Sequence, residues 1–132
     1  MAHAVRAAVT GFMDALNRLD VPDMDRHFAD DVTAFVPQAQ AELAVGRGAV
    51  TGIFRRFADR VRPTTPRLAL EARDVRVVVG DPLAVVTLHV RDGDGRMLRR
   101  RTFVLRRADG RWLISHLHAS DLPADPAGPP AP

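Results

Sequence analysis

The chain has 132 residues, 46% of them hydrophobic and 27% charged, which is the balance of one ordinary globular domain with a single core and no room for a second. It contains no cysteine, which excludes disulfide scaffolds, thiol nucleophiles, zinc–thiolate sites and iron–sulfur clusters, so any chemistry falls to His, carboxylates, hydroxyls and Arg. The net charge is only +3 and every basic residue is an arginine, so the isoelectric point near 11.1 reflects the high pKa of Arg rather than a basic surface.

The first element predicted is an amphipathic helix carrying Val5, Val9, Phe12, Met13, Leu16 and Leu19 at helical spacing, with Arg6, Asp14 and Arg18 mostly on other faces. Asp20 and Pro22 then signal a short second helix with Met24 and Phe28 as its apolar stripe, closed by Asp30-Asp31 in a capping or turn role. Val32 to Val36 reads as a strand ended by Pro37, and Gln38 to Gly46 as a loop. Gly46-Arg47-Gly48 lacks the Lys-Ser/Thr ending of a phosphate loop and is read as the start of a third helix, with Arg47 free to pair with a nearby carboxylate. That helix has Val50, Ile53, Phe54, Phe57 and Val61 on one face, Arg55, Arg56, Asp59 and Arg60 on the other, and Pro63 and Pro66 to stop it.

Beyond Pro66 the period becomes alternating, and turn residues divide the chain into strands at Arg67 to Val79, Leu83 to Arg91, Arg96 to Arg107 and Arg111 to Ser120. Gly80-Asp81-Pro82, Asp92-Gly93-Asp94-Gly95 and Asp109-Gly110 link them as hairpins, an antiparallel meander. In its first strand the apolar phase is even at Leu68, Leu70 and Ala72 and odd at Val75, Val77 and Val79, which predicts a bulge near Arg73-Asp74 and a sharp bend. Residues 123–132, PADPAGPPAP, cannot pack a core and read as a disordered tail after a domain of residues 1–122.

The expected architecture is therefore α+β, a curved sheet wrapped around the helices with a pocket inside the curl. The last strand is read as apolar on both faces, with Trp112 and Ile114 on one side and Leu113, Leu117 and Ala119 on the other. Such a sheet needs an outer cover that no remaining element supplies, so a homodimer through the outer face is expected. Arg55, Arg56 and Arg60 and the run Arg99 to Arg101 are read as solvated faces; with no Tyr and one Trp, little is available to stack on bases and no nucleic-acid partner is expected. Nowhere do about 18 apolar residues run together, and His3 and Arg6 break the N-terminal segment, so the expectation is a cytoplasmic protein without a membrane partner. The Lys-free, Ala-rich composition suits a GC-rich bacterial genome.

The segments HFADDVTAFVP (27–37), VGRGAV (45–50), RRADGRW (106–112) and WLISHLHAS (112–120) carry a resemblance. From about Val5 to Ser120 the chain resembles the SnoaL-like branch of the nuclear transport factor 2-like superfamily, which includes polyketide cyclases, ketosteroid isomerases and the association domain of calmodulin-dependent kinase. The resemblance implies a cone-shaped, usually dimeric fold with a deep pocket, and it does not imply one reaction. The isomerase branch needs an Asp base directly before the proline, a Tyr on the first helix and a second acid on the strand before the last. The matching positions here are Val36, Phe12 and Phe103, all apolar, so conventional steroid isomerase chemistry is excluded. The kinase-association branch lines its cavity with Arg where this chain has Val86, Phe103 and Ala119, so no acidic ligand is expected at those positions.

An apolar ligand pocket is expected instead, lined by Phe12, Leu16, Val36, Phe54, Phe57, Val86, Leu88, Phe103, Ser115 and Leu117, against the plainer reading that these side chains simply fill the core. His116 and His118 stand two apart on the last strand and share a face. The resemblance turns Ser115, Leu117 and Ala119 towards the cavity, which leaves the histidines for the dimer interface. Facing inward instead, either would be the best general acid or base in the chain. A metal site would need His89 as a third ligand, one strand too far away at roughly 10 Å, so neither metal nor other cofactor is expected. Ser115, His116 and Asp121 lack the facing geometry of a hydrolase triad, and Asp92-Gly93-Asp94-Gly95 has Phe103 where a calcium loop needs Glu. Two readings follow: a cyclase or isomerase acting on a hydrophobic, polyketide-like metabolite through His116 or His118, or a non-catalytic ligand-binding or dimerisation module.

Overall fold

The computed structural model describes residues 1–39, 42–92 and 97–123. The Gly93-Asp94-Gly95 part of the expected hairpin and residues 124–132 of the expected tail lie outside them, while residue 123 closes the last strand.

Helix α1 (Ala2–Asn17) buries Val5, Val9, Phe12, Met13 and Leu16, the predicted stripe. It ends at Arg18, and Leu19 turns the chain away with φ 55°. The Asp20 side chain caps α2 (Val21–Asp25) by accepting from the Asp23 backbone N–H at 3.1 Å, with Pro22 in the first turn. Strand β1 (Phe28–Phe35) starts earlier than expected, so Asp30 and Asp31 lie inside a strand and not at a helix end. Both are exposed and both pair with arginines: Asp30 lies 3.4 Å from Arg47 Nη1 and Asp31 accepts from Arg106 Nη2 at 3.0 Å. The expected 38–46 loop holds a 3-10 turn (Pro37–Ala39) and a three-residue strand, β2 (Leu43–Val45), too short to show a period. Gly46, at φ 93°, makes the left-handed turn into α3 (Arg47–Val61).

The meander follows as β3 (Glu71–Gly80), β4 (Leu83–Arg91), β5 (Met97–Ala108) and β6 (Arg111–Pro123). Strand β3 begins four residues later than predicted, because the preceding segment is held by α1 and not by a neighbouring strand. Asn17 donates from Nδ2 to Leu70 O at 3.0 Å and accepts from Leu70 N at 2.9 Å, and its carbonyl accepts from Leu68 N at 2.8 Å. The predicted β3 bulge is present: register slips between Arg73 and Arg76, and Asp74 sits at φ 54°.

All six strands form one curved, unclosed sheet in the order β2-β1-β6-β5-β4-β3. The pairing of β1 with β6 is parallel, and the other pairs are antiparallel. Helices α1 and α3 lie in the curl, and the core they share with the sheet is built on Phe12, whose ring has Phe28 at 5.4 Å, Phe54 at 5.9 Å and Phe103 at 5.8 Å.

Strand β6 corrects a second expectation. Val104 pairs with His116 and Leu105 with Ile114, so Ser115 is an extra, bulged residue. The phase flips there, and Trp112, Ile114, Leu117 and Ala119 all lie buried on the concave side. Of the three residues expected on the second face only Leu113 stays there, so the apolar side chains of the strand lie mostly inward. One cross-strand row on the convex face runs Val45, Thr33, His116, Val104, Val85, Val78, and the next runs Leu43, Phe35, His118, Thr102, Thr87, Arg76.

Candidate functional site

The concave side keeps a recess of about 120 Å³ between α1, α3 and the inner faces of β5 and β6. Seven of the ten expected pocket residues line it: Phe12, Leu16, Val36, Phe54, Phe57, Phe103 and Leu117. Three do not. Val86 is fully buried in the packed core beside Phe103, Leu88 faces a separate groove along α1, and Ser115 is the bulge residue of β6. Met13, Leu68, Leu70 and Ala119 complete the apolar wall.

One end of the recess is polar, formed by Arg99 and Arg101. These alternate with Phe103 and Leu105 on β5, so strand geometry turns them inward while Arg100 is exposed. The solvated-face reading of the Arg99 to Arg101 run therefore holds for Arg100 alone. Asp121 on β6 lies opposite Arg99 and accepts from Arg99 Nη1 at 2.6 Å and from Arg101 Nη1 at 2.8 Å. Asp92 accepts from Arg99 Nε at 3.1 Å and Nη2 at 2.8 Å. The side chains of Arg101 and Asp121 are each only 10% exposed and those of Arg99 and Asp92 are 23% and 21% exposed, so the network is largely buried. Period-two counting back from Phe103 carried the signal for both arginines, and residue type alone concealed it.

His116 and His118 project from the opposite, convex face. His116 Nδ1 and Thr33 Oγ1 share a hydrogen bond of 2.8 Å, and the Phe35 ring packs against both imidazoles, at 5.8 Å and 5.5 Å. Neither lines the recess. His89 does not join them: it faces Arg100 across the β4–β5 pair and bonds Asp74 at 2.9 Å, which holds the Asp74 carboxyl below its ordinary pKa. No group of three metal-ligating side chains is found among the described residues. Ser115, His116 and Asp121 form no triad, since Asp121 is bound to the two arginines.

Arg47 takes the role foreseen for it, bridging Asp25 at 3.8 Å and Asp30 at 3.4 Å at the start of α3. Thr51 Oγ1 also donates to Asp25, at 2.6 Å. A further polar feature was missed by the sequence reading: His27 is 9% exposed, and its Nε2 has no partner among the described residues.

A SnoaL-like domain model matches residues 5–125, and the chain belongs to that family, which includes cyclases, isomerases and non-catalytic association domains. No curated protein matches the sequence. Among solved structures, it is similar to an NTF2-like protein of unknown function from Pseudomonas putida KT2440 (26% identity, TM-score 0.79, covering 90% of this chain and 84% of that one). An NTF2-like family protein from Streptomyces avermitilis, described as a candidate dehydratase, aligns at 24% identity and TM-score 0.77 over 93% of this chain and 96% of that one. The CaMKII hub of S. rosetta aligns at 22% identity and TM-score 0.76 over 92% and 96%. No helix among the described residues is long and apolar enough to cross a membrane.

Proposed function

We propose that this SnoaL-like chain is a small-molecule-binding protein that holds an apolar group in the concave recess and works as a homodimer through its convex sheet face. The observation that carries the first half is the recess itself: apolar walls rising from α1, α3, β5 and β6, with Phe12, Phe54 and Phe103 at its heart. Its volume of about 120 Å³ is near the ~150 Å³ that accepts one benzene ring in an apolar cavity. That size favours a single ring or a short aliphatic chain over a polycyclic, polyketide-like body.

The dimer half draws little on β6, where Trp112, Ile114, Leu117 and Ala119 face inward and only Leu113 and Leu122 lie outside. It draws on the convex rows, where Val45 is 65%, Val78 69% and Leu43 47% exposed on one sheet face. The two histidines belong to that face, so acid–base turnover by His116 or His118 within the recess is not part of the proposal. The non-catalytic reading is favoured by this placement together with the apolar residues at positions 12, 36 and 103.

Calorimetric titration of the full chain with ethylbenzene tests the binding half. Saturable binding of one molecule per chain is expected, and it should vanish in Ala119→Phe, which fills the recess while keeping the far-ultraviolet circular dichroism of the parent. Absence of saturable binding to the parent chain contradicts the proposal.

A further inference from the structure

The proposed function leaves the polar end of the recess without a purpose, and that end is built with more care than packing requires. Arg99 is fully engaged, with Nε, Nη1 and Nη2 all donating to Asp92 or Asp121. Arg101 is not. It donates through Nη1 alone, to Asp121 Oδ1 at 2.8 Å and to Arg100 O at 2.9 Å, and its Nε and Nη2 have no hydrogen-bond partner among the described residues. Its side chain is nine-tenths buried and lines an apolar chamber. Neither donor is among the fully buried unpartnered atoms, so both are open to a ligand oxygen that takes the place of water.

Nε and Nη2 form one edge of the guanidinium plane, the two-donor fork that matches two oxygens of a single carboxylate. A ketone, ester or amide oxygen offers that edge one acceptor. Asp121 fixes the other side of the guanidinium, and Arg99 with Asp92 fixes Asp121, so the fork is oriented before a ligand arrives. Two guanidiniums against two carboxylates balance in charge. Selection for an anion therefore comes from the paired donors and not from a net positive field.

We infer that the recess takes a small carboxylate with an apolar body, its head held by the Nε–Nη2 edge of Arg101 and its ring or chain held between Phe12, Phe54, Phe103 and Leu117. The inference rests on the recess being a ligand site, as proposed above, and adds the class of ligand.

Calorimetry on the full chain with three probes of one shape, phenylacetate, phenylacetamide and ethylbenzene, separates the two claims. Phenylacetate should bind at least about tenfold more tightly than either neutral probe, the increment of one or two charge-assisted hydrogen bonds. In Arg101→Lys, which keeps the charge beside Asp121 and removes the fork, phenylacetate should fall to within about threefold of phenylacetamide. Equal binding of the three probes to the parent chain overturns the carboxylate inference and leaves the apolar site standing. Failure of all three overturns both. A tenfold preference that survives in Arg101→Lys, or in Arg101→Gln should the lysine variant not fold, removes Arg101 from the role.

Discussion

Ile114 and Leu117, three residues apart on β6, lie on the same face of the sheet, 1% and 2% exposed. Strand geometry alone would put them on opposite faces. Ser115 absorbs the difference as a bulge, and through it the strand delivers Leu117 and Ala119 to the recess and His116 and His118 to the convex surface.

Deleting Ser115 should therefore be far milder than deleting a residue that is in register. Without Ser115, Ile114 and His116 become neighbours opposite Leu105 and Val104, and every other side chain keeps its face. Deleting His118 instead turns Ala119 and Asp121 outward and takes Asp121 from Arg99 and Arg101. The His118 deletion should cost about 3 kcal/mol or more, and the Ser115 deletion clearly less. Urea denaturation of both variants measures the contrast, and near-equal midpoints would show that Ser115 is not the extra residue.

Asn17 fastens the approach to β3 through two hydrogen bonds to the backbone of Leu70, at 3.0 and 2.9 Å. Asn17→Ala leaves both Leu70 groups without those partners in a half-buried position and should destabilise by about 1–3 kcal/mol. The expected signature is a lower denaturation midpoint with an unchanged m-value. A midpoint equal to that of the parent would mean that water replaces the amide without loss.

His27 should make the fold acid-sensitive. Burial holds its pKa below the ordinary value, and Arg26 and Arg111 push the same way, against a smaller opposing pull from Asp23. Because the folded pKa is depressed for a base, the unfolded chain binds the extra proton. Its contribution is thus complete above the unfolded pKa of about 6.5 and declines as the pH falls below it. His27→Leu should flatten the stability curve below about pH 6.5. Gly11 is tied to the same ring: a Cβ there would stand 3.0 Å from His27 Cε1. Gly11→Ala should consequently lose about 1 kcal/mol despite the better helix propensity of alanine.

Val85 lies at the centre of a convex row, between Val104 and Val78, and is 38% exposed. A charge placed there should not disturb the core but should break a dimer built on that face. Sedimentation velocity at high micromolar concentration should show a dimer for the parent and a monomer for Val85→Glu. A monomeric parent would contradict the interface outright, and a dimeric variant would place it elsewhere.

Where a long segment kept its period, the sequence was a good guide. The stripe of α1, the Asp20–Pro22 start of α2 and the β3 bulge all follow from spacing. The switch from Leu70 to Val75 was legible as a bulge, yet the switch from Ile114 to Leu117 on β6 carries the same signal and reads as a strand with two apolar faces when taken alone. What separates the two readings is the pairing with β5, and long-range register is not written in any one segment. Strand β2, with three residues, offers no period. Asp30 and Asp31 resemble a helix end because charge is scarce in strands, but both project from an exposed stretch where arginines meet them. Arg99 and Arg101 show the opposite case: their parity with Phe103 places them in the recess, and only their charge suggested solvent.

The division between a concave binding side and a convex histidine side is tested most directly by mapping amide chemical-shift changes as ethylbenzene is added to the isotope-labelled chain. The account predicts saturable shifts centred on Phe12, Phe103 and Leu117, with Phe35, His116 and His118 unmoved. Shifts centred on Phe35 and the two histidines, with the recess silent, would contradict it.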